Sequence, residues 1–183
     1  VDCNGINLTP VISDVGVAHT NNPPEFTGAG ALKASPDGKK VCVAITWPVA
    51  MAELFDFDNT TGILSNPIDL VGYSSGYVFI YGVEFSPNSR LLYVTTGLDR
   101  TINQYDITSG NQATIEASKF VMNTAPYYPA ALQIAPDKKI YLASNTSPTI
   151  SVINNPDVYG AGCNLSLGTI NLGGPQSATG LPA

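Results

Sequence analysis

Short runs of alternating apolar and polar residues, each ended by a turn signal, recur along the whole chain, and nowhere is helical spacing sustained. The clearest run is Lys40–Thr46, β-branched and alternating, entered through Ser35-Pro36-Asp37-Gly38, where Gly38 supplies a position at which positive φ costs little. Reading on in the same way predicts strands over Ala29–Ala34, Lys40–Thr46, Glu53–Asp58 and Pro67–Val71. A second set follows over Tyr81–Ser86, Leu91–Thr96, Thr101–Ile107 and Ala113–Ala117, and a third over Ala130–Ala135, Lys139–Ser144, Thr149–Asn154 and Leu167–Leu172. Ala50-Met51-Ala52-Glu53-Leu54, the nearest approach to a helix, reads as a loop entering a strand, and Trp47-Pro48 as the tip of an elongated hairpin.

The sets repeat one another. The turns Ser35-Pro36-Asp37-Gly38, Ser86-Pro87-Asn88-Ser89 and Ala135-Pro136-Asp137-Lys138 are spaced 51 and 49 residues apart, and Phe57-Asp58, Tyr105-Asp106 and Ile153-Asn154 are spaced 48 and 48. Four strands per unit at this period is the signature of blades in a β-propeller. We therefore expect an all-β chain, a partial propeller of about three to four four-stranded antiparallel blades. Residues 1–26 are expected to be part of a preceding blade with its connector, with Thr9–Ala18 as that blade's outer part. Blades are then expected over 27–74, 75–125 and 126–183. Three units fall short of the four to eight that a closed ring needs, so a fragment, or completion by other segments, is expected.

Composition narrows the function classes. Only 12% of the 183 residues are charged, about half the usual share, while 17 Gly, 14 Pro and 9 Tyr suit many strands joined by tight turns. With 8 Lys+Arg against 14 Asp+Glu there is no basic stripe, which argues against nucleic acid and anionic membrane as partners. No apolar run is long enough for a membrane-spanning helix, and Val1-Asp2-Cys3-Asn4 does not read as a signal peptide.

The stretches Ala31–Lys40, Glu53–Asp58, Tyr81–Pro87, Ala131–Asp137 and Ile153-Asn154-Asn155-Pro156 with Gly160-Ala161-Gly162-Cys163-Asn164 resemble the blades of surface propellers from Bacteroidota. The resemblance runs from about Val15 to Pro182, and Gly180-Leu181-Pro182 resembles the segment where the propeller ends in that family. It implies an exported parent protein in which the propeller precedes immunoglobulin-like repeats and a sorting module read by type IX secretion, at the cell surface or in the extracellular space. WD-type and lactonase-like propellers share only the strand-turn pattern.

Candidate chemistry is sparse. His19 is the sole histidine and has no Ser, Cys or acid beside it, so a loop hydrogen-bonding role is expected. Asp56, Asp58 and Asn59 crowd oxygen atoms in the way Ca²⁺ requires, making them weak metal candidates. The Asp58 position stays acidic or amide through the repeats, which suits an Asx hydrogen bond to a turn and no cofactor at all. Trp47, Tyr127 and Tyr128 stand beside prolines, where rings protrude from loops and contact a sugar or a protein; core or rim packing is the alternative, as it is for Tyr73, Tyr77 and Tyr81. Cys42 reads as a core residue, and Cys3 and Cys163 as loop thiols or halves of a disulfide. Sequons at Asn7, Asn59, Asn145 and Asn164 have meaning only in a eukaryotic secretory pathway.

The expected function is a non-enzymatic binding or display module that meets a glycan or protein partner through propeller loops. Two alternatives stand beside it. One is a structural subunit or spacer paired through open blade edges, and the other a lactonase-like or hydrolytic enzyme whose site lies partly outside this chain.

Overall fold

Each Pro-Asp turn is held by the side chains that made it legible. The Ser35 hydroxyl donates to Asp37 Oδ1 (2.6 Å) and accepts from the Lys40 N–H (2.9 Å), while Asp37 Oδ1 accepts from the Lys39 N–H (3.1 Å). Ser86 and Asn88 repeat the arrangement with Leu91 and Arg90. Asp137 has no serine beside it and instead accepts from the Lys139 N–H and from the Tyr141 hydroxyl (2.8 Å). Every turn so closed reverses the chain into an antiparallel pair.

The structure, a computed structural model, describes residues 9–18, 29–46, 50–73 (71–73 as backbone) and 79–181. Among the described residues twelve strands form three four-stranded antiparallel sheets, the blades of a partial propeller. Blade one holds β1 (Leu32–Ala34), β2 (Lys40–Ile45), β3 (Ala50–Asp58) and β4 (Ile63–Tyr73). Blade two holds β5 (Ile80–Phe85), β6 (Leu91–Thr96), β7 (Thr101–Asp106) and β8 (Phe120–Asn123). Blade three holds β9 (Tyr128–Ile134), β10 (Ile140–Asn145), β11 (Thr149–Ile153) and β12 (Leu165–Asn171).

The core is the pair of interfaces between blades. Cys42, Ala52, Leu54 and Leu70 of blade one pack against Val83, Phe85, Leu92 and Tyr105 of blade two. Leu91, Tyr93, Ile102 and Met122, on the other face of blade two, pack against Leu132, Ile140, Leu142 and Ile153 of blade three. Alternation along each strand sends neighbouring residues to opposite interfaces.

The inner strands β1, β5 and β9 are tied by a polar chain of equivalent residues. Lys33 Nζ donates to Gln133 Oε1 (2.7 Å) and lies 3.3 Å from Glu84 Oε2. Glu84 is buried, and its two oxygens accept from the N–H groups of Phe85 and Ile134, both at 3.0 Å. Backbone contact is close there too. A Cβ on Gly82 would sit 2.1 Å from the Ala130 carbonyl oxygen, so only glycine lets β5 approach β9.

Several expected elements differ. Ala113–Ala117 is no strand: helix α1 (Gln112–Ala117) stands there, and the fourth strand of blade two is Phe120–Asn123. Asn111 caps the helix by accepting from the Thr114 N–H (3.1 Å), and buried Ile115 anchors it in the first interface, so cap chemistry and one apolar contact overrode the short alternation. Ala50–Leu54 is no loop, because β3 begins at Ala50, and Ala50, Ala52 and Leu54 are buried. β4 starts at Ile63, ahead of Pro67, which a bulge accommodates with Asn66 at φ 50°. Residues 9–18, expected as the outer part of a preceding blade, form no strand and lie along blade one, where the Val17 N–H reaches Glu53 Oε1 (3.0 Å) and Ser13 Oγ accepts from the Leu64 N–H (2.9 Å).

The Asp58, Asp106 and Asn154 equivalence also shifts. In the ladders Lys40 faces Asp56 and Leu91 faces Asp106, so by register Asp106 corresponds to Asp56, and the hairpin of blade one is two residues longer. Turn chemistry keeps the other correspondence. Asp58 Oδ1 accepts from the N–H groups of Thr60 (2.9 Å) and Thr61 (3.3 Å), and Asp106 Oδ1 from that of Thr108 (3.1 Å).

Candidate binding cleft

A hairpin tip and an interblade connector meet at one end of blades two and three. The β6–β7 hairpin turns through Gly97-Leu98-Asp99-Arg100, closed by the Arg100 N–H on the Gly97 carbonyl (3.1 Å). Arg100 sits at φ 53°, a conformation that a side chain disfavours. Its carbonyl is gripped by the buried Thr124, through the N–H (2.7 Å) and the hydroxyl (2.8 Å). That grip fixes the backbone, and the side chain crosses to the first residue of β9. The guanidinium carbon lies 4.5 Å from the Tyr128 ring centroid, and Nη2 donates to the Tyr128 hydroxyl (2.9 Å).

Beside this pair opens a cleft of about 290 Å³ lined by Phe79, Tyr81, Leu98, Tyr128, Pro129 and Thr179, among others. Phe79, Leu98 and Tyr128 are each 40% or more exposed, so three large apolar groups face solvent together at one place. The Gly97 N–H donates to the Phe79 carbonyl (2.7 Å), joining the hairpin to the start of β5. Among the described residues no salt bridge engages Arg100, whose guanidinium lies against Tyr128, one of the residues lining the cleft.

Of the residues singled out in the sequence, Tyr128 and Tyr81 reach this cleft. Tyr127 is half-buried, and its carbonyl accepts from the Thr124 hydroxyl (3.5 Å). Trp47, His19, Tyr77, Cys3 and Asn7, and the Tyr73 side chain, lie outside the described residues. Phe79, Leu98 and Arg100 were not anticipated. A signal existed for Leu98, an apolar residue at the tip of an otherwise polar turn. Counted from the end of the ladder it is also the counterpart of Trp47, each lying two residues past the pairs Ile45↔Met51 and Thr96↔Thr101.

Two of the weak metal candidates, Asp56 and Asp58, have donors of their own, and Asn59 is exposed. Asp56 pairs with Lys40 and accepts from Asn66 Nδ2 (3.1 Å), and Asp58 caps its turn. Among the described residues no three His, Cys, Asp or Glu side chains converge on one point. The Thr60 and Thr61 N–H and hydroxyl groups hold the Asp58 carboxyl below its ordinary value. For Asp137 the Tyr141 hydroxyl is the largest cause of the same lowering, followed by the Lys139 N–H. Cys163 is a buried free thiol, its Sγ 3.4 Å from Met122 Sδ, and burial pushes its pKa up, as it does for Cys42.

No family model matches the chain, and no curated protein does. Solved structures do. A protein from Lactobacillus plantarum aligns over 83% of this chain and 44% of its own with a TM-score of 0.59 at 15% identity. The periplasmic gluconolactonase of Pseudomonas aeruginosa aligns over 83% and 42% (TM-score 0.55, 17% identity), and Kuenenia stuttgartiensis hydrazine synthase over 80% and 38% (0.51, 16%). The chain thus spans less than half the length of these neighbours. At such identities the likeness establishes the fold: this is part of a β-propeller.

Proposed function

We propose that this chain is a non-enzymatic binding module of an exported surface protein, and that it meets its partner through the cleft at Tyr128. The carrying observation is the grouping of Phe79, Leu98 and Tyr128, all exposed, beside an Arg100 that a strained backbone and Thr124 hold in place. Tyr and Arg dominate protein interfaces, because a rigid ring and a guanidinium bury much area at little entropic cost. The aliphatic and Phe walls favour an apolar side chain of a protein partner; a glycan ring on Tyr128 is the second reading, supported by the hydroxyl and guanidinium beside that ring. Export rests on the resemblance of the blade motifs to surface propellers.

The lactonase-like alternative needs carboxylates converging on the channel. The equivalent inner-strand positions hold Lys33, Glu84 and Gln133, and Glu84 is engaged by two backbone N–H groups and Lys33. Binding of the purified chain to arrays of surface proteins and of glycans tests the proposal. Tyr128→Ala and Arg100→Ala should each weaken the best binder by about thirtyfold, the effect of losing an interface anchor. Binding indifferent to both changes, or turnover of a lactone or ester panel by the unmodified chain, would overturn it.

A further inference from the structure

The open face of blade three repeats, residue for residue, the two faces that neighbouring blades cover. Lys33↔Cys42, Glu84↔Tyr93 and Gln133↔Tyr141 are equivalent ladder pairs, and so are Ala52↔Leu70, Ile102↔Met122 and Ile150↔Ile170. Cys42 and Leu70 are fully buried by blade two, and Tyr93 and Met122 are buried by blade three. Tyr141 is half-buried and Ile170 is 41% exposed. Between them runs a groove of about 450 Å³ walled by Tyr141, Ile150, Ile170, Leu172 and Leu181.

A second observation identifies the occupant. The Ala31 N–H, just before β1, donates to the Tyr81 carbonyl at the start of blade two's inner strand (2.8 Å), and the Ala131 N–H of β9 donates to the Thr179 carbonyl (3.0 Å). Tyr81, Ala130 and Thr179 follow one another at intervals of 49 residues, and Gly82-Val83, Ala131-Leu132 and Gly180-Leu181 follow them in turn. The Ser177 N–H and hydroxyl reach the carbonyls of Ser147 (2.7 Å) and Ser144 (2.5 Å), so the segment is pinned on blade three before Thr179. Thr179 therefore holds, relative to blade three, the place that Tyr81 holds relative to blade one.

We infer that the open face of blade three is the docking surface of a further four-stranded blade of the same repeat, whose inner strand begins at Thr179 and whose apolar face fills the groove. Leu181 is the first residue of that face, the counterpart of Val83 and Leu132, each fully or almost fully buried in its interface. A second copy of this chain is the competing occupant; it could present its own open blade-three face, or blade one, against which residues 9–18 already lie.

The test adds a blade in register: residues 1–179 are followed by a copy of residues 82–124, so that the copied Gly82 falls where Gly180 stands. Ile170→Cys is placed in both the 183-residue chain and the extended one, with Thr169→Cys as the control on the neighbouring position, and maleimide labelling is followed by site-resolved mass spectrometry. Ile170→Cys should label at least tenfold more slowly in the extended chain, with Thr169→Cys unchanged. An extended chain that unfolds cooperatively yet labels as fast as the original overturns the inference. So does concentration-dependent protection of Ile170→Cys in the 183-residue chain, which assigns the face to a second copy. Should the extension not fold, hydrogen exchange at the Ala131 amide decides. It should quicken at least tenfold in a chain ending at residue 176, and no change would mean that Thr179 is not seated as the first rung.

Discussion

Glu84 is the buried charge on which the junction of all three inner strands turns, and replacing it gives the sharpest test of the blade packing. Its Oε1 serves the Phe85 N–H of its own strand, and its Oε2 serves the Ile134 N–H of blade three and faces Lys33 of blade one. Glu84→Ala removes the acceptor from two N–H groups next to a side chain only 3% exposed. Each stranded donor costs about 1–3 kcal/mol, so about 2–6 kcal/mol is expected from the two, while Lys33, its side chain 24% exposed, keeps Gln133 as a partner. Glu84→Gln keeps the volume and one carbonyl oxygen, so one of the two donors stays satisfied and about 1–3 kcal/mol is lost. Urea unfolding followed by circular dichroism reads this directly. At a slope of about 2 kcal/mol/M, Glu84→Ala moves the midpoint down by about 1–3 M. A Glu84→Ala protein within about 1 kcal/mol of the parent, or no more destabilised than Glu84→Gln, would refute the claim that this carboxylate links the blades.

Other consequences follow from particular contacts. Gly82→Ala drives a methyl against the Ala130 carbonyl and should destabilise the chain by about 2 kcal/mol or more, whereas Gly97→Ala, whose Cβ has 3.4 Å of room, should cost about 1 kcal/mol or less; equal midpoints would contradict the close approach. Ile115→Ala, in the helix that joins the first interface, should cost about 2–5 kcal/mol, and a loss under about 1 kcal/mol would show α1 to be a passive connector. Cys42 and Cys163, with thiols raised by burial, should resist iodoacetamide in the native state and be alkylated only on unfolding, as peptide mapping will report. Asp58 and Asp137 have folded-state values below the ordinary 3.8, so their contribution to stability is present above that value and fades as pH falls through the folded one. Melting temperature should therefore drop on acidification from about pH 5 to about pH 2, and less steeply in the Asp58→Asn, Asp137→Asn double variant; an unchanged slope would refute the assignment.

The turns and most of the strands were legible in the residues alone, because both are local. A Pro-Asp or Pro-Asn turn closes on side chains two to five residues away, and alternation needs no partner to be visible. Leu91–Thr96 was predicted to the residue for this reason. The Asp58 turn was equally legible, since its acceptor and donors are neighbours. Where a local signal had two readings, it misled. Ala113–Ala117 alternates like a strand, and only the Asn111 cap and the pocket for Ile115 between blades make it a helix. Tertiary structure alone decided the rest. Phe79 and Tyr128 lie 49 residues apart and meet only because successive blades stack in register, and Arg100 acquires its place from Thr124 on another strand connection. The same holds for the chain of Lys33, Glu84 and Gln133, whose members share no local pattern and are joined only where three inner strands converge. Contacts of that kind depend on the distance between blades, which no single strand encodes.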